Sequence, residues 1–338
     1  MLAKISVVIL NYNTKELLEK FLPSVLASNH ADFKVLVADN SSSDGSLEMV
    51  REKFPSIEIF ETGENLGYAG GYNRALRDNK SEWYVLLNSD VEVHPDWLKY
   101  LDESVTKNNW SAAQPKILDY SNKEQFEYAG ASGGYLDYLG YPLCRGRLMD
   151  TCEKDNGQYN EEVEIHWASG AALMIKASDY WEAGGLDEDF FAHMEEIDLC
   201  WRLHKLGKKV GVCPEANVYH IGGGTLSKQN SRKTYLNFRN GLVLLLKNLP
   251  IMELLWKFPY RLLLDGAAGI YFLFQGKRKD TWAIVKAHWN VFLRIGFWWG
   301  KRAKVQNTKH TMELLPKSLV FQYYLKGVKT FEKYIERK

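Results

Sequence analysis

The stretch Leu86-Leu87-Asn88-Ser89-Asp90-Val91-Glu92 closes an apolar run that starts at Trp83. Trp83 to Leu87 reads as a strand, and the polar residues after it as a small acidic turn. A strand delivers its last residues to the edge of a sheet, where α/β proteins bind their ligands. A carboxylate held there can bind a hard cation such as Mg2+ or Mn2+, with coordination sites left open for a diphosphate. Asp90 is the first candidate ligand and Glu92 the second. The plainer reading of the same residues is a turn former or a helix cap.

The elements that must position this turn alternate between strand and helix. Lys4 to Leu10 is a nearly continuous β-branched and apolar run, as in a parallel strand buried on both faces. Thr14 is placed to cap a helix from Lys15 to Ala27. Phe33 to Ala38 is a second strand, Ser46 to Phe54 a second helix, Ile57 to Glu61 a third strand and Gly70 to Asn79 a third helix. Trp83 to Leu87 is then a fourth strand. This order predicts a doubly wound, mostly parallel sheet flanked by helices.

Distinctive residues fall at the carboxyl ends of those strands. Asn11-Tyr12-Asn13 follows the first, Asp39 the second, Glu64 to Asn73 the third and Asn88-Ser89-Asp90 the fourth. An aromatic ring can pack on a base, and a carboxylate can accept from a base N–H. A Gly-rich helix start lets backbone N–H groups approach phosphate, and the acidic turn can add a metal. Each part alone is ordinary loop chemistry; together they describe a nucleoside-diphosphate site. Gly67, Gly70 and Gly71 do not match the dinucleotide fingerprint, and no Walker lysine pattern appears.

A chain of 338 residues with formal net charge +1 has room for one large domain or two smaller ones. Its charge is divided: from Gly241 onward there are 18 Lys and Arg against 6 Asp and Glu, while the first 240 residues hold 25 against 36. The basic part is also rich in Trp, Phe and Tyr. That mixture suits an interfacial helix on an anionic membrane surface, with a packed helical subdomain as the plainer alternative. No nucleic-acid motif accompanies the charge, so nucleic acid is not the expected partner. The most apolar window, Phe258 to Phe274, carries Arg261 and Asp265 and is short for a membrane span. No signal peptide is legible at Met1-Leu2-Ala3-Lys4. Cys144, Cys152, Cys200 and Cys213 lack metal-ligand spacing and read as thiols. The expected location is cytoplasmic, peripheral on the inner face of the membrane.

With these stretches in view, the chain resembles family 2 glycosyltransferases of the GT-A fold, especially the bacterial rhamnosyltransferase-like members. The resemblance is carried by Ile5 to Asn13, Val37 to Gly45, Asn65 to Asn73 and Leu87 to Val91. It continues in Gly184 to Phe191, Glu195 to Arg202, His220 to Thr225 and Arg239-Asn240, and covers roughly residues 4 to 245. It implies a GT-A domain over 1–240 and a helical, aromatic and basic extension over 241–338. It further implies transfer of a sugar, with inversion, from a nucleoside-diphosphate donor to a hydroxyl of a glycan or lipid-linked glycan. dTDP-rhamnose comes first as donor and a UDP-hexose second.

The resemblance also implies roles. Asn11, Tyr12, Asn13, Asp39, Asn65, Gly67, Asn73, Asn88 and Ser89 would bind the nucleotide sugar, with Asp39 reading the base. Asp90 and His220 would hold the Mg2+ or Mn2+ that bridges the diphosphate. The acidic pair of the family falls on Glu195 and Glu196, and its second member is the usual base. Here that member is Glu196 where the family commonly has Asp, so Glu195 stays open as the alternative and Asp198 reads as structural. A helix N-terminus that favours acids through its dipole would explain the cluster without chemistry. The glycines after His220 suggest a turn that closes over the donor, and Trp167 to Ile175 a strand beside the acceptor. Residues Asp119 to Glu164 read as a variable insertion near the cleft, or equally as a packed hairpin. Two other functions stay open: a catalytically silent nucleotide-sugar-binding protein, and a nucleotidyltransferase, which should carry a basic Gly-rich phosphate loop where Asn11-Tyr12-Asn13 stands.

Overall fold

The structure is a computed structural model and describes residues 3–222, 231–305 and 312–336. The first half runs β1 (Ile5–Asn11), α1 (Lys15–Leu26), β2 (Phe33–Asp39), α2 (Ser46–Lys53), β3 (Glu58–Glu61), α3 (Gly67–Leu76), β4 (Trp83–Asn88), β5 (Val91–Val93), α4 (Trp97–Asn108) and β6 (Ala112–Asp119). Four short strands follow: β7 (Gly134–Leu136), β8 (Pro142–Cys144), β9 (Arg147–Leu148) and β10 (Thr151–Cys152). Then come β11 (Val163–Glu164), β12 (Ala172–Lys176), α5 (Ala177–Glu182), α6 (Glu195–Lys205) and β13 (Val210–His220). The helices α7 (Ser231–Asn248), α8 (Ile251–Phe274), α9 (Arg278–Leu293) and α10 (Ile295–Val305) complete the main body.

The main sheet has the order β11-β13-β6-β12-β4-β1-β2-β3, with β5 added beside β13. β4, β1, β2 and β3 are mutually parallel, β12 runs against both β4 and β6, and β13 is parallel to β6. The β-branched run of β1 is what such a strand requires, since side chains alternate between two covered faces. Ile5, Val7 and Ile9 pack with Leu18 and Leu22 of α1 and Trp97 and Leu101 of α4. Val8 packs on the other side with Tyr72 of α3, Leu199 of α6 and Leu242 of α7. The register sets the strand ends level: Asn11 pairs with Asp39, Leu10 with Asn88, and Asp39 with Glu61.

Several elements differ from the sequence expectation for physical reasons. α3 begins at Gly67 rather than Gly70, because side-chain amides satisfy its first N–H groups: Asn40 Oδ1 accepts from Leu66 N at 3.0 Å and Asn65 Oδ1 from Gly67 N at 3.0 Å. Thr14 stands at the start of α1 but does not cap it with its side chain; Asp44 Oδ2 accepts from Lys15 N instead, at 2.9 Å. The strand expected from Trp167 begins only at Ala172, since Ser169 turns the chain through bonds to Ala171 N and Ala172 N. The insertion is a packed four-stranded antiparallel sheet, in the order β10-β9-β8-β7. At its β7–β8 turn Asp137 accepts from Leu139 N, Tyr141 N and Leu319 N at 2.9, 2.8 and 2.8 Å.

Residue 240 lies inside α7, and Leu242 to Leu246 belong to the same core as α3 and α6. The boundary expected at 240/241 therefore falls within one helix. α8 is inverted relative to an ordinary surface helix. Its buried stripe is Leu254, Lys257, Arg261, Asp265 and Gly269, while Met252, Leu255, Leu263, Ile270 and Phe274 face outward. Among the described residues no helix is long and apolar enough to cross a membrane.

Candidate functional site

A cleft of about 610 Å3 opens at the carboxyl ends of β1 and β4, within the range of small-molecule sites. Tyr12, Asn65, Gly67, Asn88, Ser89, Asp90, Glu195, Glu196 and His220 line it. The structure thus brings together nine of the residues that the sequence singled out. Four others stand elsewhere. Asp39 is buried behind the wall, where Oδ1 accepts from Asn11 Nδ2 at 2.7 Å and Oδ2 from Ser42 N at 2.9 Å. Asn13 closes the same shoulder by accepting from Ser43 N at 2.7 Å. Asn73 lies away from the cleft: its Nδ2 donates to Leu186 O at 2.8 Å, and its Oδ1 accepts from Tyr180 Oη and Leu186 N at 2.6 and 3.0 Å. A side chain so fully used holds α3 to the 186 turn, which is a packing role.

The acidic turn is positioned by β5. Val91 pairs with His220 at the end of β13, so Asp90 meets the histidine across the ladder. Asp90 Oδ1 lies 3.1 Å from His220 Nε2, and Glu127 Oε2 lies 3.1 Å from His220 Nδ1. Burial would lower the imidazole pKa, but Asp90 and Glu127 outweigh it and push it up to about 10. Glu127 comes from the insertion and carries no sequence signal that marks it. Glycine is required beside it: Gly222 has φ +73°, and a Cβ there would stand 2.7 Å from Glu127 Oε1. Gly223, Gly224 and Thr225 lie outside the described residues. Glu92, the second candidate ligand, points elsewhere and pairs with Lys123.

Among the described residues no group of three His, Cys, Asp or Glu side chains converges on one point to hold a metal. Asp90 and Glu127 contact opposite ring nitrogens of His220, so the three form a chain. Two of them still suit a cation. A ligating histidine usually gives its second ring nitrogen to a carboxylate, which is how Glu127 stands. Asp90 with His220 Nε2 would then offer one oxygen and one nitrogen, and Mg2+ or Mn2+ bound through few protein ligands takes the rest from phosphate and water. Binding would require the ring to give up its Nε2 proton.

Opposite this turn, α6 begins with Glu195 and Glu196. Both carboxyl groups are deeply set, and Oε2 of each has no hydrogen-bond partner. Burial raises both: Glu196 to about 7, and Glu195 well above the usual carboxylate range, where the charge of Glu196 adds to the effect. A pair whose environments separate its members provides one neutral acid and one base near neutrality. Asp198 does something else. It is fully buried and accepts from Arg202 Nε, Lys247 Nζ and Asn248 Nδ2 at 2.9, 2.8 and 2.9 Å.

Gly67 closes the donor end. Its φ is +71°, and a Cβ would come within 2.7 Å of the Phe191 ring and carbonyl. The sequence did not mark His193, Tyr128, Arg147 or Arg261, which also line the cleft. They sit in the insertion, in α8 and in a loop, where no periodicity or strand end points to them.

Comparison with known proteins bears on this arrangement. The family model described as Glycosyl transferase family 2 matches residues 6–179. An N-acetylglucosaminyl-diphospho-decaprenol L-rhamnosyltransferase of Mycobacterium tuberculosis is 29% identical over 233 residues, covering 63% of this chain and 75% of that one. The low-salt glycan biosynthesis hexosyltransferase Agl10 of Haloferax volcanii is 27% identical over 246 residues, covering 71% of this chain and 75% of that one. Among solved structures, GalNAc-T7 with UDP, GalNAc and Mn2+ superposes with a TM-score of 0.57 at 17% identity, over 72% of this chain and 48% of that one. The mannosyltransferase PcManGT from Pyrobaculum calidifontis, with GDP-Man and Mn2+, gives 0.52 at 14% identity, over 90% and 85%. The structural likenesses establish the fold, the GT-A architecture with a helical C-terminal region.

Proposed function

The chain belongs to glycosyl transferase family 2 and is a glycosyltransferase with rhamnosyltransferase relatives, and from that premise we propose that it transfers L-rhamnose, with inversion, from dTDP-rhamnose to a hydroxyl of a lipid-linked glycan. The observation that carries this reading is the cleft itself. Two buried carboxylates with unpartnered oxygens line one wall, and Asp90 with His220 lines the other. The lipid-linked acceptor is supported by the relative whose name carries a diphospho-decaprenol.

In the reaction the acceptor oxygen forms a bond to the anomeric carbon while the bond from that carbon to the diphosphate breaks. The hydroxyl is a poor nucleophile, so its proton passes to Glu196, the carboxylate with a pKa near neutrality. Glu195 stays protonated beside it and can donate to a substrate hydroxyl. The electron pair leaves with the diphosphate, whose growing charge a divalent cation held by Asp90 and His220 would neutralise. Tyr12, half exposed at the mouth, offers a ring on which the base can stack.

The reaction is placed at an anionic membrane surface on the cytoplasmic side. The inverted α8 supports this: Phe274 is 87% exposed, Met252 74% and Leu263 72%, and Trp289 on α9 is 67% exposed. Contiguous apolar surface of that kind beside Lys and Arg suits an in-plane helix. Arg261 projects from the buried side of α8 to line the cleft, so the same helix would serve lipid and site. The test is transfer from dTDP-rhamnose and a panel of UDP-sugars to an N-acetylglucosaminyl-diphospho-polyprenol. Product with the dTDP donor, abolished in Glu196→Gln, supports the reading. Binding of the donor with no transfer in the unmutated protein would replace it with the silent binder.

A further inference from the structure

The segment that leads into α6 runs against backbone preference. Phe191, His193 and Met194 have φ of 66°, 70° and 73°, and none is glycine. Such residues persist only where the surroundings over-determine them, and they gather at functional sites. Glu195 and Glu196 follow directly, as the first two residues of α6. The torsions of this segment therefore set the direction in which both carboxylates enter the cleft.

Two neighbours on α7 hold the segment. Asn240 Nδ2 lies 3.1 Å from Phe190 O, 2.9 Å from Ala192 O and 2.7 Å from His193 O. Arg239 Nη2 donates to Asp189 O at 2.9 Å and Phe190 O at 2.8 Å. Arg239 Nε also donates to Asn240 Oδ1 at 2.8 Å, which fixes the way the amide faces. Both side chains are buried. From the opposite flank, Tyr68 N donates to Phe191 O at 2.8 Å. Five consecutive residues, 189 to 193, thus have four of their carbonyls taken by two side chains and the fifth by α3. Packing of α7 on α6 does not require this, since Lys247 and Asn248 already join the helices through Asp198.

We propose that Asn240, aimed by Arg239, is a positioning residue of the transfer reaction: it holds the 190–194 segment in its strained path and so aims Glu196 at the acceptor hydroxyl. The inference rests on Glu196 as the base. Misplacement of a reacting group by about 1 Å costs on the order of 100-fold in rate, so loss of the amide is expected in kcat rather than in donor KM.

The experiment compares full-length Asn240→Ala, Arg239→Lys and Glu196→Gln with the unmutated protein. It reads nucleoside-diphosphate release from dTDP- and UDP-sugars, and amide hydrogen exchange over residues 189–196. Asn240→Ala should lower kcat about 100-fold with donor KM within about twofold, and speed exchange in 189–196 by about tenfold or more while the sheet is unchanged. Arg239→Lys, which keeps a donor but loses the fork, should fall between. Unchanged exchange and kcat in both variants overturns the proposal. If Glu196→Gln abolishes release while Asn240→Ala does not reduce it, the clamp fails and the base stands. If Glu196→Gln stays active, the base reading fails, and the exchange data alone decide whether Asn240 holds the segment. Should Asn240→Ala not fold, Arg239→Lys carries both readouts.

Discussion

Asp198 Oδ2 on α6 accepts from Lys247 Nζ on α7 at 2.8 Å, with Asp198 fully buried and Lys247 nearly so. Burial would raise the carboxyl pKa, but the Lys247 and Arg202 cations reverse this and hold it well below the usual range. Removal of one partner of a buried pair leaves the other charge uncompensated, so Asp198→Asn is expected to cost roughly 3–5 kcal/mol, measured by urea unfolding at pH 7. The sign of the pH dependence follows. A depressed folded-state pKa contributes stability that is present above the unfolded value of about 4, and that is lost as pH falls toward the folded value. Asp198→Asn should flatten that acid limb, and an unchanged limb would remove Asp198 as its source.

Glu196 should shape the pH profile of transfer. A base must be ionised to take a proton, and the Glu196 carboxyl is pushed up to about 7. The rate at saturating donor is therefore expected to rise with pH through about 7 and level off above it. Glu196→Gln should lower the plateau by about 100- to 10,000-fold. A profile flat from pH 5 to 9 in the unmutated enzyme would contradict this assignment.

The cation reading makes a separate demand. If Asp90 and His220 share a divalent ion with the diphosphate, Mn2+ and donor together should raise the melting temperature more than the sum of each alone. Asp90→Ala should abolish that synergy. Synergy of wild-type size in Asp90→Ala would place the ion elsewhere.

The outward face of α8 and α9 predicts binding to vesicles that contain phosphatidylglycerol, weaker at high salt. Leu263→Glu with Trp289→Glu, both on strongly exposed positions, should weaken flotation with those vesicles and leave the melting temperature nearly unchanged. Equal flotation of the double variant would count against this face as the contact.

The sheet was legible because its signals are local. The β-branched run of β1 fixes a strand buried on both faces, and strand ends fix where polar residues gather, so Tyr12, Asn88 and Asp90 could be placed on one edge. Asn73 looked equivalent, since it closes the same motif, but helical period carries it round to Leu186 and Tyr180. Glu127 and Arg239 were beyond reach for the opposite reason. Their partners, His220 and the 189–190 carbonyls, lie 93 and about 50 positions away, and nothing in their own neighbourhood announces the pairing. The helical region read correctly as aromatic and basic, yet composition could not tell that α8 turns its charges inward.

Asp137 and Leu319 are joined across 182 positions. On the ribosome, the turn that presents this carboxylate emerges long before the amide that satisfies it. At about 5–20 residues per second, the wait is on the order of 10–40 s. For that interval one oxygen of a group destined for burial has only water as partner, and the insertion sheet can form but not seal. The last step of the chain's maturation is therefore a latch, closed from the far end, and nascent chains halted short of Leu319 should stay open to protease between Tyr138 and Arg147 after the β1–β4 sheet has become resistant.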